Sequence, residues 1–301
     1  NQNIRAKIYL QRADLLWSQA RLSDSLRLYA KAIAAARKAV ARDEKGGLDF
    51  LQRALINQSM ALEMKGEIAA ATSSSREALE IARGSLARAP DAKRRSVLAA
   101  VLLRLSNRDQ GAGRFGEAGE KLQEAVKLAR GGGEAEDQRT LAAALMARGQ
   151  LRSNLHDYDM AYEDLGEAAK IERARLETLP DLGPSDDLLS VVLRSLAEEE
   201  SRRGRPKVGE ALLQEALTFA RRRVATDSSD AEAIRELIKV LQALARFKLS
   251  RGDSAAAVPE LEESVLRAKE YYAQRPIREA AIVVGETLSA LVALEEARDK
   301  T

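Results

Sequence analysis

Few side chains in this sequence have the types and spacing that chemistry requires. His156 is the one histidine and there is no cysteine. Beside Asp157 and Asp159 it could serve as a general base, but no nucleophilic thiol and no second imidazole exists to work with it. A thiolate zinc site and a disulfide framework are excluded outright. Glu198-Glu199-Glu200 carries three carboxylates of the kind that hold a hard cation, yet adjacent residues on a helix point in different directions and cannot share one ion. They read as a solvated helix end. Arg203-Gly204-Arg205-Pro206-Lys207 contains an Arg-Gly-Arg core of the type that enters the minor groove of A·T-rich DNA. Gly113, Gly116 and Gly119, and the run Gly131-Gly132-Gly133, are glycine-rich enough to cradle a phosphate. They lack the preceding strand and the lysine that such a loop needs, and read as turns. Eleven aromatics dispersed through the chain make no platform for stacking bases.

The elements that carry these residues are helices. Of 301 residues, 54 are alanine and 42 leucine, with 32% charged and 4% aromatic, the composition of long helices and repeat proteins. Net charge is +3, but residues 1–150 carry +9 and residues 151–301 carry −6. The sign alternates along the chain, unlike the continuous basic surface of a nucleic-acid binder. No stretch reaches the 18 or so apolar residues that span a bilayer. A chain that opens at Asn1 and enters a helical pattern within a few residues reads as an excerpt or a processed product, expected to be cytoplasmic and not membrane-inserted.

A phrase of the form small-x-x-x-large-x-x-small recurs six times. It reads Ser25, Tyr29, Ala32; Ala71, Ser75, Ala78; Ala118, Leu122, Ala125; Ala161, Leu165, Ala168; Gly209, Leu213, Ala216; and Ala257, Leu261, Ser264. Twelve residues before each lies another small residue: Ala13, Ser59, Ser106, Gly149, Ala197 and Ala245. Four before that lies a large apolar one: Tyr9, Leu55, Leu102, Leu145, Leu193 and Leu241. Residues three and four apart share a helix face, so small residues on facing helices let two backbones approach while the large neighbour fills the adjoining groove. Gly66, Gly113, Gly204 and Gly252 mark the turn between the two helices, with Ala20 and His156 in the other two units. Ser23, Asp157, Pro206 and Asp253 follow as caps or a helix-initiating proline. Gly204 and Pro206 therefore already have structural roles within the Arg-Gly-Arg segment.

This pattern resembles the tetratricopeptide repeat, with small residues in its first helix (A) and A-x-x-x-F-x-x-A in its second (B); His156-Asp157-Tyr158-Asp159-Met160-Ala161 is close to that family's turn phrase. The anchors fall 46, 47, 43, 48 and 48 residues apart, longer than the usual repeat. The extra length follows the helix-B phrase, where Arg37, Arg83, Arg130, Arg173, Arg221 and Lys269 mark the same point in every unit. That column is readable either as an anion ladder or, preferably, as cations near helix C-termini whose stems cover apolar surface. Long repeats of this kind resemble arrays in bacterial signalling proteins such as serine/threonine kinases. The resemblance implies an all-α, right-handed superhelical solenoid of six antiparallel helix pairs plus a C-terminal helix. It would be a single array over 1–301, with repeats at about 3–45, 46–90, 91–133, 134–182, 183–228 and 229–276 and a terminal helix at 277–299. The sequence predicts thirteen helices: 3–20, 24–43, 48–65, 67–88, 92–111, 115–130, 136–154, 158–178, 186–203, 206–226, 230–251, 254–274 and 278–298. Pro259 should bend its helix or delay its start, and Ser75, standing where a large residue belongs, should loosen repeat two. The apolar residues of the last helix (Ile282, Val283, Val284, Leu288, Leu291, Val292, Leu294) spread over more than one face. They await either a further repeat, the preferred reading, or self-association with another chain.

In the family resembled, helix A lines a concave groove that takes partner peptides. Carried over, the groove would present Asp14 and Trp17; Arg53, Ile56, Met60 and Glu63; Leu103 and Asn107; Met146 and Gln150; Arg194, Glu198 and Arg202; and Lys239, Gln242 and Arg246. The methionine-bearing part is adaptable, and the cations toward the C-terminus would suit an acidic or phosphorylated segment. The family's clamp for a C-terminal carboxylate has a counterpart only in Asn107. The expectation is a non-enzymatic scaffold that binds a protein or peptide segment, without cofactor, metal or nucleic acid. The alternative is the regulatory region of a larger signalling enzyme whose catalytic domain lies outside this chain.

Overall fold

A computed structural model of the chain describes residues 1–19, 21–44, 46–131, 135–178, 188–274 and 278–298. Ala20, Gly132 and Gly133, each read above as a turn, lie outside the described residues. The elements are α1 (Gln2–Ser18), α2 (Leu22–Ala41), α3 (Gly47–Met64), α4 (Ile68–Arg88), α5 (Ala92–Gly111), α6 (Phe115–Arg130), α7 (Ala135–Asn154), α8 (Tyr158–Thr178), α9 (Leu188–Arg202), α10 (Pro206–Thr226), α11 (Ala231–Ser250), α12 (Ser254–Gln274) and α13 (Arg278–Arg298). All thirteen expected helices are present, with ends within two residues of expectation. The chain divides into two compact units, Asn1–Thr140 and Leu141–Thr301. Within the first, α1 to α6 pack each on the next; within the second, α8 to α13 do the same.

The repeated small sites are where helices touch. Ala13, Ser59 and Ser106 in unit 1 and Ala197 and Ala245 in unit 2 are buried, as are Ser25, Ala71, Ala118, Ala161 and Ala257 opposite them. Two of the sites are closed to any side chain. A Cβ on Gly149 would stand 2.9 Å from Leu165 Cγ and 3.2 Å from the Ala161 carbonyl. One on Gly209 would stand 2.8 Å from the Ala197 carbonyl and 3.0 Å from Ser201 Oγ. The large sites beside them (Tyr29, Leu122, Leu165, Leu213, Leu261) fill the core. Three serines at small sites turn their hydroxyls back into their own helix: Ser25 donates to Leu22 O, Ser59 to Ile56 O and Ser106 to Leu103 O. Ser75 is buried with its Oγ unpartnered. Thr72, Arg76 and Leu79 on the same helix line a cleft of about 790 Å³ running to α5 and α6, but Ser75 does not line it.

Every described turn between paired helices uses one device. The turn residue sits in the left-handed region at Gly66 (φ 84°), Gly113 (φ 74°), His156 (φ 65°), Gly204 (φ 71°) and Gly252 (φ 79°). The next N–H then reaches back five residues: Glu67 to Leu62 at 2.8 Å, Arg114 to Asp109 at 2.8 Å, Asp157 to Arg152 at 2.9 Å, Arg205 to Glu200 at 2.9 Å and Asp253 to Lys248 at 3.1 Å. This 6→1 bond satisfies a carbonyl that the helix end would otherwise orphan. Pro206 begins α10, Asp253 Oδ1 accepts from Ala256 N at 3.0 Å, and Asp230 caps α11 through Glu232 N and Ala233 N. Ser23 is not a cap, because α2 has already begun at Leu22. Pro259 does not delay its helix, which runs from Ser254; with the end anchored by Asp253, the proline removes one N–H six residues in without blocking the first turn. On α13, Ala280 and Thr287 are buried while Ile282, Leu288 and Val292 remain exposed.

Three substitutions test these joints and turns by thermal or denaturant unfolding. Gly166, on α8 with nothing within 4 Å of an added Cβ, should gain about 0.5–1 kcal/mol on Gly166→Ala from helix propensity, whereas Gly209→Ala should lose about 1–3 kcal/mol through overpacking. His156→Gly should gain about 1 kcal/mol by relieving the left-handed backbone of a residue with a Cβ; an unchanged midpoint would show that its Nδ1 contact with the Tyr158 hydroxyl at 2.6 Å offsets the strain.

Candidate interaction face

The first helix of each pair carries the side chains read as facing a ligand. In unit 1, Asp14 is an internal joint: Oδ1 accepts from the Tyr29 hydroxyl at 2.7 Å and from Asn57 Nδ2 at 2.8 Å, and Oδ2 lies 3.3 Å from Arg53 Nη2. Burial, then this carboxylate, pushes the Tyr29 hydroxyl pKa far up. Trp17 Nε1 donates to Met64 Sδ at 3.1 Å. Glu63 accepts from Arg108 Nε at 2.6 Å, and burial lowers the pKa of the neighbouring Arg104 guanidinium. Ile56, Met60 and Leu103 are half-buried, and Arg53 and Asn107 are exposed.

In unit 2 the same kind of joint recurs. Gln150 Nε2 donates to Ser195 Oγ at 3.0 Å, Ser153 Oγ to Glu199 Oε1 at 2.6 Å, and Gln242 Nε2 to Thr287 Oγ1 at 2.7 Å. Arg194 Nε lies 3.4 Å from Glu236 Oε1. Burial pushes the Glu236 carboxyl up, and the Arg194 charge pulls it back. Arg202 pairs with Glu199 and lies over the Tyr158 ring at 5.1 Å. Gln150, Arg194, Arg202 and Gln242 thus have partners one repeat away or closer. Glu198, Lys239 and Arg246 are exposed, and Met146 is half-buried.

Three of the chemical candidates have structural partners. Glu199 and Glu200 are not a solvated helix end: they are 1% and 4% exposed, held by Ser153, Arg202 and Arg205. Arg203 and Arg205 stand over the Tyr162 ring at 4.3 and 5.3 Å and pair with Asp159 and Glu200, so the Arg-Gly-Arg segment is engaged within unit 2. His156 is exposed at its turn.

The basic column on the second helices has an arrangement that neither reading anticipated. Arg37 Nη2 reaches Glu77 at 2.8 Å, Arg83 Nη2 reaches Glu124 at 2.9 Å, Arg173 Nη2 reaches Glu215 at 2.6 Å, and Arg221 pairs with Glu263. Hydrogen bonds to these glutamates raise the Arg173 and Arg221 pKa values. Each pair joins one helix B to the next. The signal was present in the sequence: a glutamate stands six residues before the column residue at Glu77, Glu124, Glu167, Glu215 and Glu263. Arg173→Glu should destabilise the chain by about 1 kcal/mol or less, as exposed pairs do, and Glu215→Arg in the same chain should restore stability; a double variant no better than the single would show that the pair contributes nothing.

No protein-family model and no curated protein matches the chain. Solved structures do. BtubC (BKLC) from P. vanneervenii is similar with a TM-score of 0.61 and 18% identity, over 84% of this chain and 91% of that one. The apo form of RapI gives 0.55 and 12%, over 98% and 99%. A Rap protein complexed with Competence and Sporulation Factor gives 0.55 and 14%, over 100% and 77%. At these identities the likeness is one of fold. Among the described residues no helix is long and apolar enough to cross a membrane. Six repeats of the small-large-small phrase, a shared left-handed turn and these neighbours together give the chain the tetratricopeptide-repeat fold.

Proposed function

We propose that the chain is an interaction scaffold that binds a protein or peptide segment on its helix-A faces, without catalysing a reaction. One contrast supports this. Among the described pairs of the helix-B column, each arginine is matched by a glutamate of the next repeat. The helix-A faces instead combine half-buried apolar side chains (Ile56, Met60, Leu103, Met146) with exposed polar ends (Arg53, Asn107, Glu198, Lys239, Arg246). Apolar floor with charged rim is the composition of a recognition surface, and a methionine-bearing floor adapts to varied ligands. The similar Rap protein is complexed with Competence and Sporulation Factor, so a fold of this kind accommodates a bound factor.

On the helix-A faces of unit 2, Lys239 and Arg246 are exposed cations, and a segment with acidic residues would complement them. Lys239→Glu with Arg246→Glu alters neither member of the Arg194–Glu236 and Gln242–Thr287 joints, and thermal unfolding of the variant checks that the added carboxylate beside Glu236 leaves unit 2 folded. Binding of a partner isolated on the wild-type chain should fall by about tenfold or more and lose its salt sensitivity. Equal binding by the reversed variant at low and moderate salt would overturn the acidic-segment reading.

A further inference from the structure

Unit 1 contains a cavity of about 640 Å³ between α3, α5 and the first turns of α7. Phe50, Ile56, Val97 and Ala100 give it apolar walls. The two cations in its lining already have partners, Lys93 with Asp49 at 2.9 Å and Arg53 with Asp14 at 3.3 Å. Two buried polar side chains do not fit such a lining. Asp137 is 2% exposed and Gln52 5%. Asp137 Oδ1 accepts from the Ser96 hydroxyl, but its Oδ2 is buried and accepts nothing; Gln52 Nε2 is buried and has no acceptor. A buried carboxylate oxygen without a donor is destabilising, and such groups in native proteins call for a function or a missing partner.

We propose that this cavity is a subsite for a basic side chain, arginine or lysine, of a segment bound on the helix-A face. It rests on the interaction-face reading and specifies its chemistry within unit 1. The unmatched charge of the lining is the Asp137 carboxylate, so the cavity is complementary to a cation. The methylene stem of an arginine or lysine would lie along Ile56, Val97 and Ala100, and its head would donate to Asp137 Oδ2 as a charge-assisted bond once a rotation of the carboxylate turns that oxygen into the cavity. Gln52 Nε2 supplies a donor for a carbonyl of the same segment.

The test needs no partner protein, so its failure leaves the charge-reversal experiment on unit 2 untouched. n-Butylammonium, n-butylguanidinium, n-butanol and butyrate are titrated into the full chain, and backbone amide shifts are followed by NMR. The two cations should perturb amides near 50–56, 93–100 and 137–140 and saturate. n-Butanol should bind at least about tenfold more weakly, as expected when a charge-assisted bond is lost. Asp137→Asn keeps an acceptor for Ser96 and removes the unmatched charge. It should unfold at the same or higher temperature and lose the cations by about tenfold or more. If Asp137→Asn fails to fold, Ala100→Phe decides: it fills the cavity from an exposed position and should abolish the same shifts. Binding of butyrate in place of the cations, equal binding of n-butanol, or cation binding unaffected by either variant would each overturn the proposal.

Discussion

Everything in this fold depends on how closely two helix backbones can approach. At Gly149 and Gly209 the space for a Cβ is absent, and the equivalent alanines are buried. Dispersion falls off steeply with separation, so a joint of this kind is either closed or weak. Once the small sites meet, the adjacent large residues must fill the grooves, and the left-handed turn must return the chain at the right height. Alanine abundance in the composition is a consequence of this geometry as much as of helix propensity.

Successive repeats are then held by two different seams. On the second helices the seam is regular, arginine to glutamate, and partly exposed to solvent. On the first helices it is irregular: Asp14 with Asn57, Glu63 with Arg108, Gln150 with Ser195, Arg194 with Glu236 and Gln242 with Thr287. A varied seam leaves varied side chains beside it, and this is where the exposed ends gather. The B side repeats one connection from unit to unit, and the A side is where one repeat differs chemically from the next.

Much of this was legible in the sequence for physical reasons. A phrase repeated six times averages out local ambiguity, so thirteen helices could be placed with ends good to two residues. The turn role of His156 was legible because it occupies the glycine position of its neighbours. Interactions between repeats were harder to see. The Arg37–Glu77 spacing is regular in the chain, but a column of cations does not by itself reveal which carboxylate of the next repeat it meets. Gln150 and Arg194 were placed on the correct helices, yet position on a helix face does not reveal which neighbour a long side chain will reach. The burial of Glu199 and Glu200 was hidden for the same reason, since three adjacent carboxylates resemble a solvated end until Arg202 and Arg205 are seen beside them. Asp137 and Gln52 belong to no repeated phrase, and only the shape of the cavity singles them out.

The arginine-to-glutamate seam has a consequence for how such a chain can change in length. In the units that carry both residues, as at Glu77 with Arg83 and Glu215 with Arg221, one presents a socket to the preceding unit and the other a plug to the following one. A tandem copy of such a unit would arrive with both connectors in place and mate on either side without any compensating substitution. Gene duplication can therefore add or remove whole modules, while variation on the opposite side of each module alters what the array recognises.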